Sequence, residues 1–332
     1  MIKKIINWFK SLFTKEKSKY EEILEEQLGS FIEVKEKEDK KVELPNDGDL
    51  IPDPGFKSEE LFCEEVKKVK PKEEEPVIDI PVKEEKVPEI PLKFRIIISY
   101  RNESMWVRQC LKSVLIQNAD FTAHFLDDNS HDSYSIPDDD RLEYIKRKER
   151  LWALENQVQR LIVGDFDDED IIVFLDGDDK LLPRALEKIG KIYKEENCLV
   201  CYGQYENSGG SKGRSSAYTE EEFSDLRNHS FRSSHVRTFK YKLFKDLIEQ
   251  DPNLLCFRDN DGEFYKMTGD IAMMFPILEI AGYENVYFND EPVYWYRSHV
   301  NNDIALNAQL QKSIEEKIRT KRSFKCLYKQ II

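Results

Sequence analysis

Apolar residues are distributed unevenly along this chain, and their pattern separates a polar first part from a folded remainder. From about residue 94 onwards, short apolar runs alternate with stretches in which apolar positions recur every three or four residues. The runs predict buried strands and the periodic stretches predict amphipathic helices. This alternation predicts an α/β fold with a mostly parallel central sheet flanked by helices.

The predicted elements follow one another in β-α-β order over the first half of the folded region. Strands are expected at 94–99, 121–126, 142–145, 171–175 and 199–202. Helices are expected at 104–117, 152–163, 183–195, 241–249, 270–281 and 304–324. In open α/β sheets, ligands bind beyond the carboxyl ends of the parallel strands, so the site is expected at that edge.

Two of the predicted strands end in acidic residues. The apolar run 171–175 leads directly into Asp176-Gly177-Asp178-Asp179, and the second strand leads into Asp127-Asp128. Crowded carboxylates repel one another unless a cation neutralises them, and Mg²⁺ or Mn²⁺ favours oxygen ligands. The sequence therefore predicts a metal and phosphate site, although an acidic turn that caps the next helix has the same pattern.

The part of the chain before the folded region has a different character. Residues 1–13 place Ile, Leu and Phe at helical spacing with lysines on other faces, which is typical of an amphipathic helix that anchors the chain on an anionic membrane surface or on a partner protein. Residues 14–93 are rich in Glu, Lys, Asp and Pro and predict a disordered tether. We expect a folded domain at 94–303 and a C-terminal helix at 304–332.

The net charge and the cysteine content argue against some classes of function and indicate the redox state of the thiols. The formal net charge of -14 argues against a general nucleic-acid binder. The six cysteines are scattered without a disulfide framework, which indicates reduced thiols. The reduced thiols indicate a cytoplasmic protein, peripheral to a membrane if residues 1–13 bind lipid. No apolar run approaches the length of a membrane span, so no transmembrane helix is expected.

A set of short motifs carries a family resemblance through its order along the chain. The motifs are Ile96–Glu103, Cys110–Gln117, Asp127–Ser130, Ala153–Asn156, Phe174–Asp179, Thr268–Asp270 and Val293–His299. In this order they resemble the family 2 glycosyltransferases with the GT-A fold, over roughly residues 94–302. The resemblance implies a metal-dependent enzyme that moves a sugar from a nucleotide-diphosphate donor, expected to be a UDP-sugar, to an acceptor hydroxyl. A single base would give inversion of the sugar carbon, and the sequence leaves a retaining outcome open.

The resemblance also implies roles for individual residues. Asp270 would be the general base. The nucleotide would be bound by Ser99, Tyr100, Asp128, Asn156 and Asp176. Mn²⁺ or Mg²⁺ would be bound by Asp178, Asp179 and His299. Two further residues are expected on the acceptor side from their local sequence, His235 in a polar loop and Trp295 in an aromatic segment, although both also fit a purely structural role.

Some residues depart from the family pattern, and two alternative functions stay open. Tyr100-Arg101-Asn102 stands where Tyr-Asn-Arg order is usual, and Leu151-Trp152 stands where a small residue is common. A haloacid-dehalogenase-like phosphohydrolase would use Asp176 as a nucleophile beside Asp178. A non-catalytic nucleotide- or sugar-binding module is the other alternative. The acceptor, whether glycan, lipid, protein or modified nucleic acid, is not determined by the sequence.

Overall fold

The computed structural model describes residues 92–299 and 303–328. The predicted anchor at 1–13 and nearly all of the predicted tether at 14–93 lie outside the described residues. The strands are β1 (Phe94–Tyr100), β2 (Phe121–Asp127), β3 (Leu142–Lys146), β4 (Ile171–Asp176), β5 (Lys180–Leu181), β6 (Val200–Asn207), β7 (Arg237–Lys240) and β8 (Val286–Tyr296). The helices are α1 (Ser104–Leu115), α2 (Trp152–Val163), α3 (Ala185–Glu195), α4 (Glu220–Ser224), α5 (Lys242–Gln250), α6 (Gly269–Ala281) and α7 (Asp303–Arg319).

One sheet joins these strands in the order β3-β2-β1-β4-β7-β6-β8-β5. The strands β3, β2, β1 and β4 are parallel, as the β-α-β pattern predicts. Beyond β4 the sheet is mixed, because β7 runs antiparallel to both of its neighbours and β5 runs antiparallel to β8, whereas β6 and β8 are parallel. The α/β class is confirmed, and the parallel half of the sheet supplies the edge at which the acidic strand ends meet.

The core explains why β4 is an uninterrupted apolar run. Every residue from Ile171 to Leu175 is buried, because the sheet is covered on both faces. Ile171, Val173 and Leu175 belong to the cluster formed with α1 and α3, so Ile172 and Phe174 point to the opposite face, as strand alternation requires. A strand buried on both faces holds the acidic turn at its end in a fixed position.

The sequence pattern did not predict β7, although all four of its residues are buried. Its sequence, Arg237-Thr238-Phe239-Lys240, has a charged residue at each end and therefore lacks the apolar run expected of a buried strand. Lys240 is buried because its ammonium contacts the Glu169 carboxylate at 2.6 Å. Such distant ion pairs leave no local signal in the sequence.

The C-terminal helix differs in length from its prediction. It ends at Arg319 instead of continuing to residue 324, or to residue 332 as the domain assignment expected, and residues 322–328 follow without regular structure. Within the described residues, the structure shows no helix long and apolar enough to cross a bilayer.

Candidate active site

A cavity of about 690 Å³ opens at the carboxyl ends of β1 and β4. Most of the residues predicted to form the site line this cavity. They are Ser99, Tyr100, Asp128, Asn156, Asp176, Asp178, Asp179, His235, Asp270 and His299. Trp295 does not line it: its ring lies 3.9 Å from the Lys180 ammonium and 4.5 Å from the Arg297 guanidinium carbon.

The acidic turn after β4 is held against the end of β1. The amide of Gly177 donates a hydrogen bond of 2.8 Å to the carbonyl of Ser99, and the amide of Asp179 donates to the carbonyl of Asp176 at 3.0 Å. A Cβ atom on Gly177 would lie 2.9 Å from the Ser99 carbonyl oxygen. Glycine is therefore required here by the close approach of two backbone segments.

Asp178 and Asp179 have different surroundings. Asp178 Oδ2 lies 2.9 Å from His299 Nε2 at the cavity wall. Asp179 is buried, and its carboxylate accepts hydrogen bonds from the Tyr294 hydroxyl and the Arg297 amide at 2.6 and 2.7 Å. Burial raises the pKa of the Asp179 carboxyl well above its usual range, and the charges on Asp178 and Asp176 raise it further.

Arg237 connects the acidic turn with the first turn of α6. Its Nη2 lies 3.5 Å from Asp176 Oδ2, and its Nη1 lies 3.5 Å from Asp270 Oδ2. Burial lowers the pKa of this guanidinium, but the Asp176 and Asp270 carboxylates outweigh that effect and hold the pKa above its usual value. One buried cation therefore holds together the two acids that the sequence assigns to different halves of the site.

His235 lies beside this cation, on the side of Asp176. Its ring stacks on Tyr294 with a centroid distance of 4.6 Å, and its Nδ1 is 3.9 Å from Asp176 Oδ2. Nδ1 also accepts a hydrogen bond of 3.3 Å from Arg237 Nη2. Burial lowers the pKa of His235 well below its usual value, and the Arg237 charge adds to the effect. The imidazole is therefore neutral at neutral pH.

Two separate sets of side chains have the donor atoms that Mg²⁺ or Mn²⁺ prefers. In the first set, ligand atoms of Asp176, Asp179 and His235 lie within 4.8 Å of one another. In the second, Asp178 and His299 bring a carboxylate and an imidazole together at 2.9 Å. The first set suits a cation less well, because the Arg237 guanidinium already lies 3.3 Å from His235 Nδ1 and 3.5 Å from Asp176 Oδ2, and a second positive charge would be repelled there.

The predicted nucleotide-binding residues hold one another in place. Asp128 accepts hydrogen bonds from the amides of Leu151 and Trp152 at 2.6 and 3.0 Å, and from Asn156 Nδ2 at 2.8 Å. These bonds satisfy amides at the start of α2 that have no partner within the helix. The carboxylate of Asp128 therefore fixes the wall of the cavity at the end of β2.

Ser99 and Tyr100 are anchored in the same way. The Ser99 hydroxyl accepts a hydrogen bond of 3.0 Å from Gln157 Nε2, and the Tyr100 hydroxyl donates to Asp132 Oδ2 at 2.8 Å. Burial raises the pKa of Tyr100, and the Asp132 carboxylate adds to this. The tyrosine therefore stays neutral and keeps its ring fixed beneath the cavity.

The cavity also contains residues that the sequence did not single out. Arg237 is the most important, and Glu103, Arg150 and Gln157 also line the cavity. Burial raises the pKa of Glu103, and the nearby Asp178 charge raises it further, so this acid faces the acidic turn. The one available signal for Arg237 was a basic residue two positions after His235, which is too common a pattern to identify a site.

Comparison with known proteins identifies the family. Residues 95–263, just over half of the 332-residue chain, match the model of Glycosyl transferase family 2. No curated protein matches the sequence.

Solved structures of S. aureus TarS are similar to this chain over 68% of its length. The crystal structure of TarS has 16% identity, 42% of its own chain covered and a TM-score of 0.46. The structure of TarS 1–349 in complex with UDP-GlcNAc has 15% identity, 70% of its own chain covered and a TM-score of 0.47. Its complex with UDP has 16% identity, 69% of its own chain covered and a TM-score of 0.45. The similarity thus spans less than half of the longer TarS chain. On the family match, the chain belongs to glycosyl transferase family 2.

Proposed function

We propose that the enzyme transfers a sugar from a nucleotide-diphosphate donor, a UDP-sugar, to an acceptor hydroxyl in one metal-dependent step that inverts the sugar carbon. The observation that carries this proposal is the position of Arg237 between Asp176 and Asp270. One end of the guanidinium contacts Asp176, on the side where the diphosphate is expected. The other end contacts Asp270, a carboxylate that is suited to act as a base. Family membership sets aside the dehalogenase-like alternative.

The acidic turn would receive the diphosphate. Asp178, with His299 beside it and Asp176 close by, would hold Mg²⁺ or Mn²⁺ through one imidazole nitrogen and carboxylate oxygens. A bound ion would supply Lewis-acid stabilisation of the negative charge on the leaving diphosphate. Asp179 would support the site indirectly. Its buried carboxylate accepts hydrogen bonds from the Arg297 amide and the Tyr294 hydroxyl, and these bonds keep the segment that carries His299 against the acidic turn.

Asp270 is the proposed general base. An acceptor hydroxyl is a weak nucleophile, so a carboxylate within hydrogen-bond reach has to take its proton as it attacks. Asp270 lies in the first turn of α6 on the cavity wall, and its side chain is 36% exposed, which leaves an acceptor access to it. The Arg237 contact fixes the orientation of this carboxylate. A single base opposite the leaving group corresponds to one in-line displacement and therefore to inversion.

The experiment that tests the proposal measures release of nucleoside diphosphate from a panel of nucleotide-sugars with Mn²⁺. The wild-type chain is expected to turn over at least one donor, slowly with water and faster with an acceptor. Asp178→Asn should reduce this rate by about 100-fold or more, because charge stabilisation at the leaving group is usually the largest catalytic contribution. Asp168→Asn is the matched control, since Asp168 is an exposed carboxylate paired with Lys245.

The outcomes separate the remaining functions. Turnover of phosphomonoesters without consumption of any nucleotide-sugar would rule out the proposal. Stabilisation of the fold by nucleotides without turnover of any donor would indicate the non-catalytic binding module instead. An equal loss of activity in Asp178→Asn and Asp168→Asn would show that the acidic turn has no special role.

A further inference from the structure

Trp152 has an unusual backbone conformation at the wall of the cavity. Its φ angle is 68°, in the left-handed region that bulky residues rarely adopt. The conformation is fixed by Asp128, which accepts a hydrogen bond of 3.0 Å from the Trp152 amide, and by Asn156, whose amide donates to the Trp152 carbonyl at 3.1 Å. Glycine would adopt the same angle without strain. A tryptophan that keeps this strained backbone conformation at a cavity wall indicates that its side chain has a functional role.

The indole is the half-buried aromatic ring on one side of the cavity. Among the described aromatic residues that line the cavity, Tyr100, Phe174 and Tyr265 are almost fully buried. Tyr296 is partly exposed but lies near His235, with a ring-centroid distance of 5.4 Å. Trp152 is therefore the ring available at the opposite end of the cavity, next to Asp128.

Arg150 completes a planar surface at this end. Its guanidinium carbon lies 3.3 Å from the centroid of the Trp152 ring, and its Nε lies 3.9 Å from Asp128 Oδ2. A guanidinium stacked on an indole is held by cation–π attraction, which keeps both groups in one orientation. The stacked pair lines the cavity with the positive charge that a nucleotide favours.

The distance along the sheet edge fits an extended nucleotide. Asp128 follows β2 and the acidic turn follows β4, and β1 lies between these two strands. Two strand spacings correspond to about 10 Å. A nucleotide whose diphosphate lies at Asp178 would therefore extend over the end of β1 and place its base near Trp152.

We infer that Trp152, held flat by Arg150, is the stacking platform for the nucleobase of the donor. This inference rests on the proposed function, because it requires that the diphosphate lies at the acidic turn. Stacking on an aromatic side chain accepts any base, since every base has a π face. The platform therefore contributes affinity for a nucleoside, and other contacts have to select which base is bound.

Binding of UDP, GDP and inorganic pyrophosphate to the full-length chain, each with Mn²⁺, tests the platform. Trp152→Gly should weaken the binding of UDP and of GDP by about 5- to 150-fold, which is the usual loss of affinity when one base loses its stacking partner. Pyrophosphate affinity should stay at its wild-type value, because it has no base. Trp152→Phe should retain most of the nucleotide affinity, and quenching of tryptophan fluorescence by UDP should be weaker in this variant than in the wild type.

The outcomes distinguish this inference from the proposed function. A folded Trp152→Gly variant that binds UDP as tightly as the wild type would overturn the platform and leave the proposed function standing. A wild-type chain that binds pyrophosphate but neither UDP nor GDP would overturn both. If the glycine variant does not fold, Trp152→Leu replaces it, since leucine keeps bulk without a π face. Equal UDP affinity in the Leu and Phe variants would then contradict the inference.

Discussion

Replacing Arg237 with methionine tests the connection between the two halves of the site. Methionine is similar in length but has no charge, so Asp176 and Asp270 lose their shared partner. At 3.5 Å and an effective dielectric constant near 20, Coulomb attraction would be about 5 kcal/mol for each pair. Each carboxylate is 36% exposed, so solvent screening lowers the expected contribution to about 1–2 kcal/mol for each pair.

The free energy of unfolding of Arg237→Met should therefore fall by about 1–3 kcal/mol, because the two contributions are partly offset by the removal of a buried charge. The effect on catalysis should be larger. Without the guanidinium, the Asp270 carboxylate is no longer oriented and Asp176 no longer holds its place in the acidic turn. We expect kcat/KM to fall by about 100-fold or more, equivalent to about 2.7 kcal/mol of transition-state stabilisation.

Arg227→Met is the matched control. The Arg227 side chain has the same 7% exposure as that of Arg237, and it forms two hydrogen bonds with the Glu279 carboxylate at 2.6 and 2.9 Å. It does not line the cavity. Its loss should cost about 3–5 kcal/mol of stability, because the Glu279 carboxylate, only 11% exposed, loses its charged partner and keeps the hydrogen bond from the Phe324 amide. Turnover per folded molecule should stay unchanged.

The assay combines chemical denaturation with the rate of nucleoside diphosphate release, normalised to folded protein. Arg237→Lys should be intermediate, because an ammonium keeps the charge but cannot span both carboxylates as the planar fork does. Full turnover in folded Arg237→Met would refute the reasoning. Equal losses of turnover in Arg237→Met and Arg227→Met would refute it as well, since stability alone would then account for both.

Two further predictions concern the scaffold. Burial lowers the pKa of His124 to about 4. As the pH falls, the unfolded chain therefore binds a proton at this histidine before the folded chain does. This contribution to the free energy of unfolding is complete above about pH 6.5 and is lost as the pH falls towards 4, by up to about 1.4 kcal/mol per pH unit. In urea titrations His124→Gln should lack this component, and an unchanged pH dependence would contradict the assignment. Gly177→Ala should lower the free energy of unfolding by about 1–3 kcal/mol, because the new Cβ lies 2.9 Å from the Ser99 carbonyl; a stability equal to that of the wild type would contradict the close approach.

The parallel half of the fold and the acids at its edge could be predicted from the sequence because both depend on local pattern. An uninterrupted apolar run such as 171–175 has few structures available to it, and the acids that follow such a strand have to lie at its carboxyl end. The position of Asp270 on the same cavity came from the family resemblance, since a carboxylate after Gly269 fits a helix start equally well.

The rest of the site depends on contacts between distant parts of the chain. Arg237 is buried in β7 because Asp176 and Asp270 neutralise it, and neither acid is close to it in sequence. The strained backbone of Trp152 follows from hydrogen bonds to Asp128 and Asn156 and has no signal in local propensity. Tertiary electrostatics and hydrogen bonding overrode the local pattern at both positions.

The acidic turn is proposed to bind the diphosphate of a nucleotide through a divalent cation. Calorimetric titration of UDP with Mn²⁺ and with a chelator, into the wild type and Asp178→Asn, tests it most directly. Mn²⁺ is expected to tighten UDP binding by about tenfold or more in the wild type, worth about 1.4 kcal/mol, and to have no effect in Asp178→Asn. Equal UDP affinity with Mn²⁺ and with the chelator in the wild type would contradict the account.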